Sequence, residues 1–127
     1  MTDKLTGSEQ VEKAFIYISN LTRECRKVLT LKFEREYKGT PFDSIEALVK
    51  KETESWFTMR DKNIKLSYVN TMIEKHGELR ITYLGSTKDA HFKIHINCLF
   101  TVVNTAGNTA SYLKNLNLTI DKREFTK

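Results

Sequence analysis

The stretch WFTMRDKNIKLSY, residues 56–68, contains a change of hydrophobic period at Asn63. Before Asn63 apolar residues recur every three or four positions, as on one face of a helix, and after it every second position, as on one face of a strand. Each kind of element buries one face and needs a partner layer. The sequence therefore predicts a single α+β domain over 1–127, with helices over about 7–58 and a sheet over about 64–121.

The first helix is predicted to begin at the capping box Thr6-Gly7-Ser8-Glu9, whose hydroxyl and carboxylate can satisfy free backbone donors of the first turn. It is predicted to end at Lys38-Gly39, because glycine is the usual residue after a helix C-terminus. The result is a helix of about thirty residues, longer than the usual three or four turns. Its apolar stripe consists of Val11, Ala14, Phe15, Ile18, Leu21, Cys25, Val28, Leu29, Phe33 and Tyr37.

The second, shorter helix is predicted to open at Thr40-Pro41, with proline at the first helical position, where its missing N–H costs nothing. Its apolar stripe consists of Phe42, Ile45, Leu48, Val49 and Trp56. The two helices form a predicted N-terminal hairpin around Gly39-Thr40, and they should pack on one face of the sheet.

After Asn63 four runs alternate apolar and polar residues, with turn signals at His76-Gly77 and around Gly107. They predict a four-stranded antiparallel sheet with one buried face. The predicted cross-strand neighbours are Lys75 with Glu78, Met72 with Ile81, His95 with Arg80, Ile96 with Leu118, and Cys98 with Leu116.

Composition favours a folded protein made and kept in the cytoplasm. The hydrophobic fraction of 39% and charged fraction of 29% are ordinary for globular proteins. No apolar stretch approaches the roughly 20 residues of a membrane helix, and the first residues lack an apolar signal core. Cys25 and Cys98 are predicted to be buried free thiols. No cofactor is expected, and the spacing of cysteines and histidines predicts no metal site.

The sheet face away from the helices carries several aliphatic side chains among its polar ones. A solvated face is one interpretation, because antiparallel sheets often leave one face wet. The other is an interface with a protein partner or with a second copy in a homodimer, because a large exposed apolar patch commonly marks a binding surface. The predicted partner-binding residues are Val69, Ile73, Leu84, Leu99 and Leu113.

Two further surfaces are candidates for other functions. Basic residues on the long helix and on the sheet could contact nucleic acid or a small anion, although a solvated charged face is the usual meaning of such a cluster. This set is Arg23, Arg26, Lys27, Arg80, Lys93 and His95. Aromatic residues predicted to lie under the helices could instead fill the core or line a small-ligand pocket, an arrangement that resembles cone-shaped α+β folds. This set is Trp56, Tyr68, Tyr83 and Tyr112.

The motif inventory contains no phosphate-binding loop, no nucleophile elbow and no Cys-His or Ser-His pairing with an orienting residue. The leading hypothesis is therefore a small intracellular non-enzymatic protein-binding module, an inhibitor or accessory factor. Nucleic-acid contact and small-ligand binding remain the alternatives.

Overall fold

The computed structural model describes residues 7–127, apart from the side chain of Thr105. These residues form two helices and five strands, in an order that matches the change of period at Asn63. Its elements are α1 (Gly7–Arg35), β1 (Thr40–Pro41), α2 (Ile45–Arg60), β2 (Lys65–Lys75), β3 (Glu78–Ser86), β4 (His91–Thr105) and β5 (Asn108–Thr119), with 3₁₀ turns at Phe42–Ser44 and Lys122–Glu124. Neither helix is long and apolar enough to cross a membrane.

The sheet is antiparallel, with strand order β1-β5-β4-β3-β2. The α+β class and the antiparallel sheet are thus confirmed, but the prediction of four strands is wrong. Thr40-Pro41 does not open a helix; it pairs with Ser111 and Ala110 as a two-residue edge strand. Proline is tolerated at a sheet edge, because its missing backbone N–H need not donate a hydrogen bond to a neighbouring strand there. The predicted capping box includes Thr6, which lies outside the described residues.

The helices cover one face of the sheet, which we call the inner face; the opposite face is the outer face. α1 buries Ile18, Cys25 and Leu29, which belong to the same core as Ile96 and Cys98 of β4. Both thiols are free and buried, and burial raises the pKa of each to about 12. Buried and exposed side chains alternate regularly along β4, and the buried ones form the sheet side of the core.

The inner and outer faces exchange along β2 at a bulge. The register shifts between Tyr68 and Asn70, so that Val69 has no directly paired residue in β3. Beyond the bulge Thr71 pairs with Ile81, whereas Met72 faces Arg80 on the outer face. The predicted pairing of Met72 with Ile81 is therefore wrong by one residue.

Of two other predicted cross-strand pairs, one is confirmed and one is wrong. Lys75 pairs with Glu78 as predicted. His95 does not face Arg80, however, because it pairs with Thr82 two positions further along β3. Arg80 faces Asn97 instead.

The register of β2 and β3 shifts again between Ile73 and Lys75, where Glu74 is the extra residue. A third register shift, beside Leu99, changes the faces of β5. Leu99 pairs with Asn115 but Phe100 pairs with Leu113, so that Lys114 is the extra residue. Leu113 consequently packs against the core rather than on the outer face, and Tyr112 faces outward beside Thr101 rather than inward. The pairs of Ile96 with Leu118 and Cys98 with Leu116, on the other side of the shift, are confirmed.

The C-terminal residues close one end of the core. Phe125 is buried, stacks on Phe92 at a ring-centroid distance of 5.1 Å and meets the edge of Phe15 at 5.3 Å. His91 and Thr126 exchange two backbone hydrogen bonds of 2.6 and 2.8 Å. These contacts bring the end of the chain to the start of β4, which the sequence analysis did not predict.

Candidate functional site

The strand β2 lies at an edge of the sheet and pairs on one side only, with β3. It is 11 residues long, about twice the usual length of a strand. Alternate backbone N–H and C=O groups of such an edge point away from the sheet, where another extended segment can pair with them. At the opposite end of the sheet, β1 pairs with part of β5.

Large apolar side chains are exposed together on β2. An edge strand in a monomer is normally short, charged or covered, because an apolar edge is a template for further pairing. Here four such residues lie within the six positions 68–73. Their exposed fractions are 40% for Tyr68, 46% for Val69, 48% for Met72 and 61% for Ile73.

The five predicted partner-binding residues do not form one patch. Val69 and Ile73 both lie on β2, but the bulge places Ile73 beside Leu79 on the inner face. Leu84 faces Lys93, six positions along β4 from Leu99, which corresponds to about 20 Å. Leu113 packs against the core, as described above. Four large apolar side chains are thus exposed close together along the β2 edge, whereas Leu84, Leu99, Val103 and Tyr112 are exposed on the other strands.

The structure divides the predicted basic residues between α1 and the outer face of the sheet. Arg23, Arg26 and Lys27 are all exposed on α1, and Arg26 donates a 3.4 Å hydrogen bond to Asn117 of β5. Together with neighbouring residues of α1 and β5, Arg23 and Arg26 line a shallow groove of about 400 Å³. That groove is open enough for an anion, but its arginines lie at the β5 side of the sheet, away from β2.

On the outer face, two of the three predicted basic side chains already form hydrogen bonds or ion pairs within the chain. Arg80 donates to Asn97 at 3.0 Å and forms an ion pair with Glu74 at 3.6 Å. His95 Nε2 lies 2.9 Å from a carboxylate oxygen of Glu124. Lys93 is exposed. Arg80 and His95 are thus engaged by acidic neighbours, which reduces the positive charge they offer to a phosphate.

The four predicted aromatic residues do not line a common pocket. Tyr83 is completely buried, and its hydroxyl donates a 2.5 Å hydrogen bond to Glu54 of α2. Burial and this hydrogen bond raise the pKa of Tyr83. Tyr112 lies on the opposite face, and Trp56 is half-buried on α2 with Arg60 over its ring at 5.0 Å.

Tyr68 shares the inner face with Tyr83, but it is 40% exposed rather than buried as predicted. Its ring lies 6.0 Å from that of Tyr83, and the ammonium group of Lys50 lies 3.7 Å above its centre. Its hydroxyl lies 2.6 Å from that of Thr71 and donates to Glu46 at 3.3 Å. These contacts hold the side chain in place while part of it stays exposed to solvent, as a site for a partner side chain requires.

A cleft of about 300 Å³ lies between α1, the end of α2 and the loop between β3 and β4. Tyr17 donates a 2.8 Å hydrogen bond to Asp61 there. The backbone N–H of Asn63 and the Tyr17 hydroxyl hold the pKa of Asp61 below its usual value. Lys13 and Lys88 also line it. Sequence analysis missed this cleft because three distant segments form it, and no motif marks any of them.

No group of three His, Cys, Asp or Glu side chains within residues 7–127 is arranged to hold a metal ion. Comparisons of the chain with protein-family models, with curated proteins and with solved structures found no match. The feature that stands out from the geometry is the exposed apolar edge of β2.

Proposed function

We propose that this protein is a non-enzymatic protein-binding module whose partner adds an extended segment to the edge of β2. The observation that carries the proposal is the 11-residue uncovered edge with four exposed large apolar side chains within positions 68–73. Backbone hydrogen bonds supply affinity in this mode of recognition, and alternate side chains supply specificity.

The rigidity of the edge supports this mode of binding. β2 pairs along its length with β3, and β3 pairs with β4, whose inner-face residues are buried. The edge is therefore held in its extended form before a partner arrives. A preformed strand loses little conformational entropy on binding, and the partner alone must be ordered. Apolar side chains that leave water at the contact add roughly 25 cal/mol per Å² of buried surface.

The chemistry of the described residues is better suited to binding than to catalysis. Cys25 and Cys98, which would be the strongest nucleophiles, are buried and have raised pKa values. The Tyr83 hydroxyl is buried against Glu54, away from any substrate. Two buried, unpaired thiols also fit a reducing compartment, and we place the protein inside the cell.

Replacing Met72 with Lys should abolish partner binding while leaving the fold intact. Met72 is 48% exposed at the edge, and a lysine there would bring an ammonium group into a contact that excludes water. Leu84→Lys is the matched control, because Leu84 is also 48% exposed on the outer face but lies on β3 rather than at the edge. Affinity capture from the native host should lose its partner with Met72→Lys and keep it with Leu84→Lys.

Circular dichroism melts of the two variants check that both remain folded. If Met72→Lys is folded and captures the same partner as the parent, the β2 edge is not the binding surface. Loss of the partner with Leu84→Lys alone would move the site to the outer face of the sheet.

A further inference from the structure

We infer that the partner at the β2 edge is a second copy of this chain, paired antiparallel about a twofold axis that passes between Val69 and Asn70. The inference rests on the proposed function, because it names the segment that pairs with the edge. It comes from the sequence of β2 read with its bulge, which makes the strand complementary to itself in one register.

A twofold axis that relates two antiparallel edge strands in one continuous sheet runs perpendicular to that sheet. The inner face of one copy therefore continues into the inner face of the other copy. Residues directly opposite each other across the new pair must then lie on the same face. In a regular strand, this condition forbids a residue of odd number from facing one of even number. The bulge at Val69 reverses the alternation halfway along β2: Lys65 and Ser67 lie on the outer face before it, and Met72 lies there after it.

The twofold axis between Val69 and Asn70 satisfies this condition for every pair outside the bulge. On the inner face, Leu66 meets Ile73 of the second copy, and Tyr68 meets Thr71 of the second copy. On the outer face, Ser67 meets Met72 of the second copy. Each pair occurs twice by symmetry. The exposed apolar residues Tyr68, Met72 and Ile73 therefore all gain neighbours across the axis.

The charges at the two ends of the strand agree with the same register. It places Lys65 opposite Glu74 of the second copy, again twice. Glu74 contacts Arg80, so its side chain lies on the outer face, and its side chain is still 42% exposed. Lys65 is exposed on that face too, beside Ser86. Opposite charges directly across an antiparallel pair stabilise it, and like charges destabilise it.

Other registers lose these features. Moving the axis so that Leu66 faces Glu74 puts an inner-face aliphatic residue opposite an outer-face carboxylate. Moving it so that Lys65 faces Met72 restores matching faces but shortens the overlap and leaves Ile73 and Glu74 without neighbours. The bulge at Val69 also coincides with the axis only when Val69 faces Asn70, and the second register shift of β2, at Glu74, then lies in the outermost pair.

The contact is confined to one pair of edge strands, so its area falls at or below the lower end of specific interfaces, about 1,200 Å². We therefore expect a dimer whose population depends on concentration over the range that sedimentation velocity covers. In such a monomer–dimer equilibrium the β2 edge is free at low protein concentration and occupied by the second copy at high concentration.

The test exploits the two Lys65–Glu74 contacts. In a homodimer of Lys65→Glu, each Glu at 65 faces Glu74, and in a homodimer of Glu74→Lys, each Lys at 74 faces Lys65. Each variant alone should raise the dimer dissociation constant roughly tenfold or more. In a 1:1 mixture the heterodimer regains both opposite-charge pairs, so mixing should restore association. Lys93→Glu and Glu34→Lys, which make the same charge changes on exposed residues away from β2, are the matched controls.

Sedimentation velocity of the parent, each variant and the mixture gives the answer. If each variant alone associates more weakly than the parent and the 1:1 mixture associates as the parent does, the result supports a second copy in this register. A parent that is monomeric at every concentration, or a mixture no stronger than the single variants, overturns it. If the parent is monomeric but Met72→Lys still removes a different protein captured from the host, the second copy is wrong while the proposed binding edge stands. If the parent dimerises and neither Met72→Lys nor the charge variants weaken it, the dimer uses another surface and the second copy at this edge is wrong. The proposed binding edge is wrong as well only if folded Met72→Lys also captures the same host partner as the parent.

Discussion

Tyr83→Ala should lower the free energy of unfolding by about 3–5 kcal/mol, because it removes a large ring from the centre of the core. Tyr83 is completely buried between β3 and α2, its ring meets that of Tyr68, and no rearrangement of the rigid sheet can refill the space. Tyr112→Ala, a tyrosine truncation on the outer face at 38% exposure, should cost about 1 kcal/mol or less. Chemical denaturation of both variants measures the difference.

Tyr83→Phe separates the ring from its hydroxyl. It should cost about 1–3 kcal/mol, since the hydroxyl donates to the Glu54 carboxylate. Burial, followed by that hydrogen bond, raises the folded-state pKa of Tyr83 above the usual tyrosine value. The stabilisation is therefore complete below pH about 10 and declines as the pH rises above it, where the unfolded chain releases the proton and the folded chain keeps it.

The Phe variant lacks this titrating group, so its stability should fall less steeply with pH in the alkaline range than that of the parent. If Tyr83→Ala unfolds at the same denaturant concentration as Tyr112→Ala, the packing described for the core is wrong.

Gly77→Ala should be the second severe change, with a cost of about 3–5 kcal/mol. Gly77 turns the chain between β2 and β3 with a φ of +94°, and a Cβ there would overlap the carbonyl oxygen of Phe100. An L-residue in the left-handed region costs roughly 1–2 kcal/mol, and a clash with backbone adds to that. The backbone cannot move away easily, because the Phe100 N–H donates a 2.7 Å hydrogen bond to the Gly77 carbonyl.

Gly107 provides the matched control for this change. It turns the chain between β4 and β5 with a φ of +89°, but no atom of the described part of the chain lies within 4 Å of the position that its Cβ would occupy. Gly107→Ala should therefore cost only the conformational part, about 1–2 kcal/mol. Thermal and denaturant unfolding of both variants would show the difference, and equal losses would mean that the close approach of Gly77 to β4 is absent in solution.

Sequence periodicity was sufficient to predict the cross-strand pairs where the strands are regular. The pairs Ile96 with Leu118 and Cys98 with Leu116 follow from alternation and one turn, and the structure confirms both. It failed at the bulges beside Val69 and Lys114, because an extra residue inserted into a strand changes the face of every later side chain without any mark in composition. That is why Leu113 was placed on the outer face.

The binding edge was only partly predictable for a related reason. Val69 and Ile73 stand out as apolar residues of the first strand, and a meander places its first strand at an edge. The sequence does not reveal that β1 pairs beside β5 at the other end, because two residues carry no periodicity. Nor does it reveal that the helices leave Tyr68 half uncovered, which depends on how far they extend over the sheet.

Hydrogen–deuterium exchange of β2 in the free and the associated protein tests the binding edge most directly. Amides that point outward from Lys65–Glu74 have no partner strand in the free protein and should exchange quickly, whereas association should protect them. The protection should disappear in Met72→Lys and persist in Leu84→Lys. Association that leaves exchange along β2 unchanged, while amides elsewhere in the molecule become protected, would contradict the assignment of this edge as the binding surface.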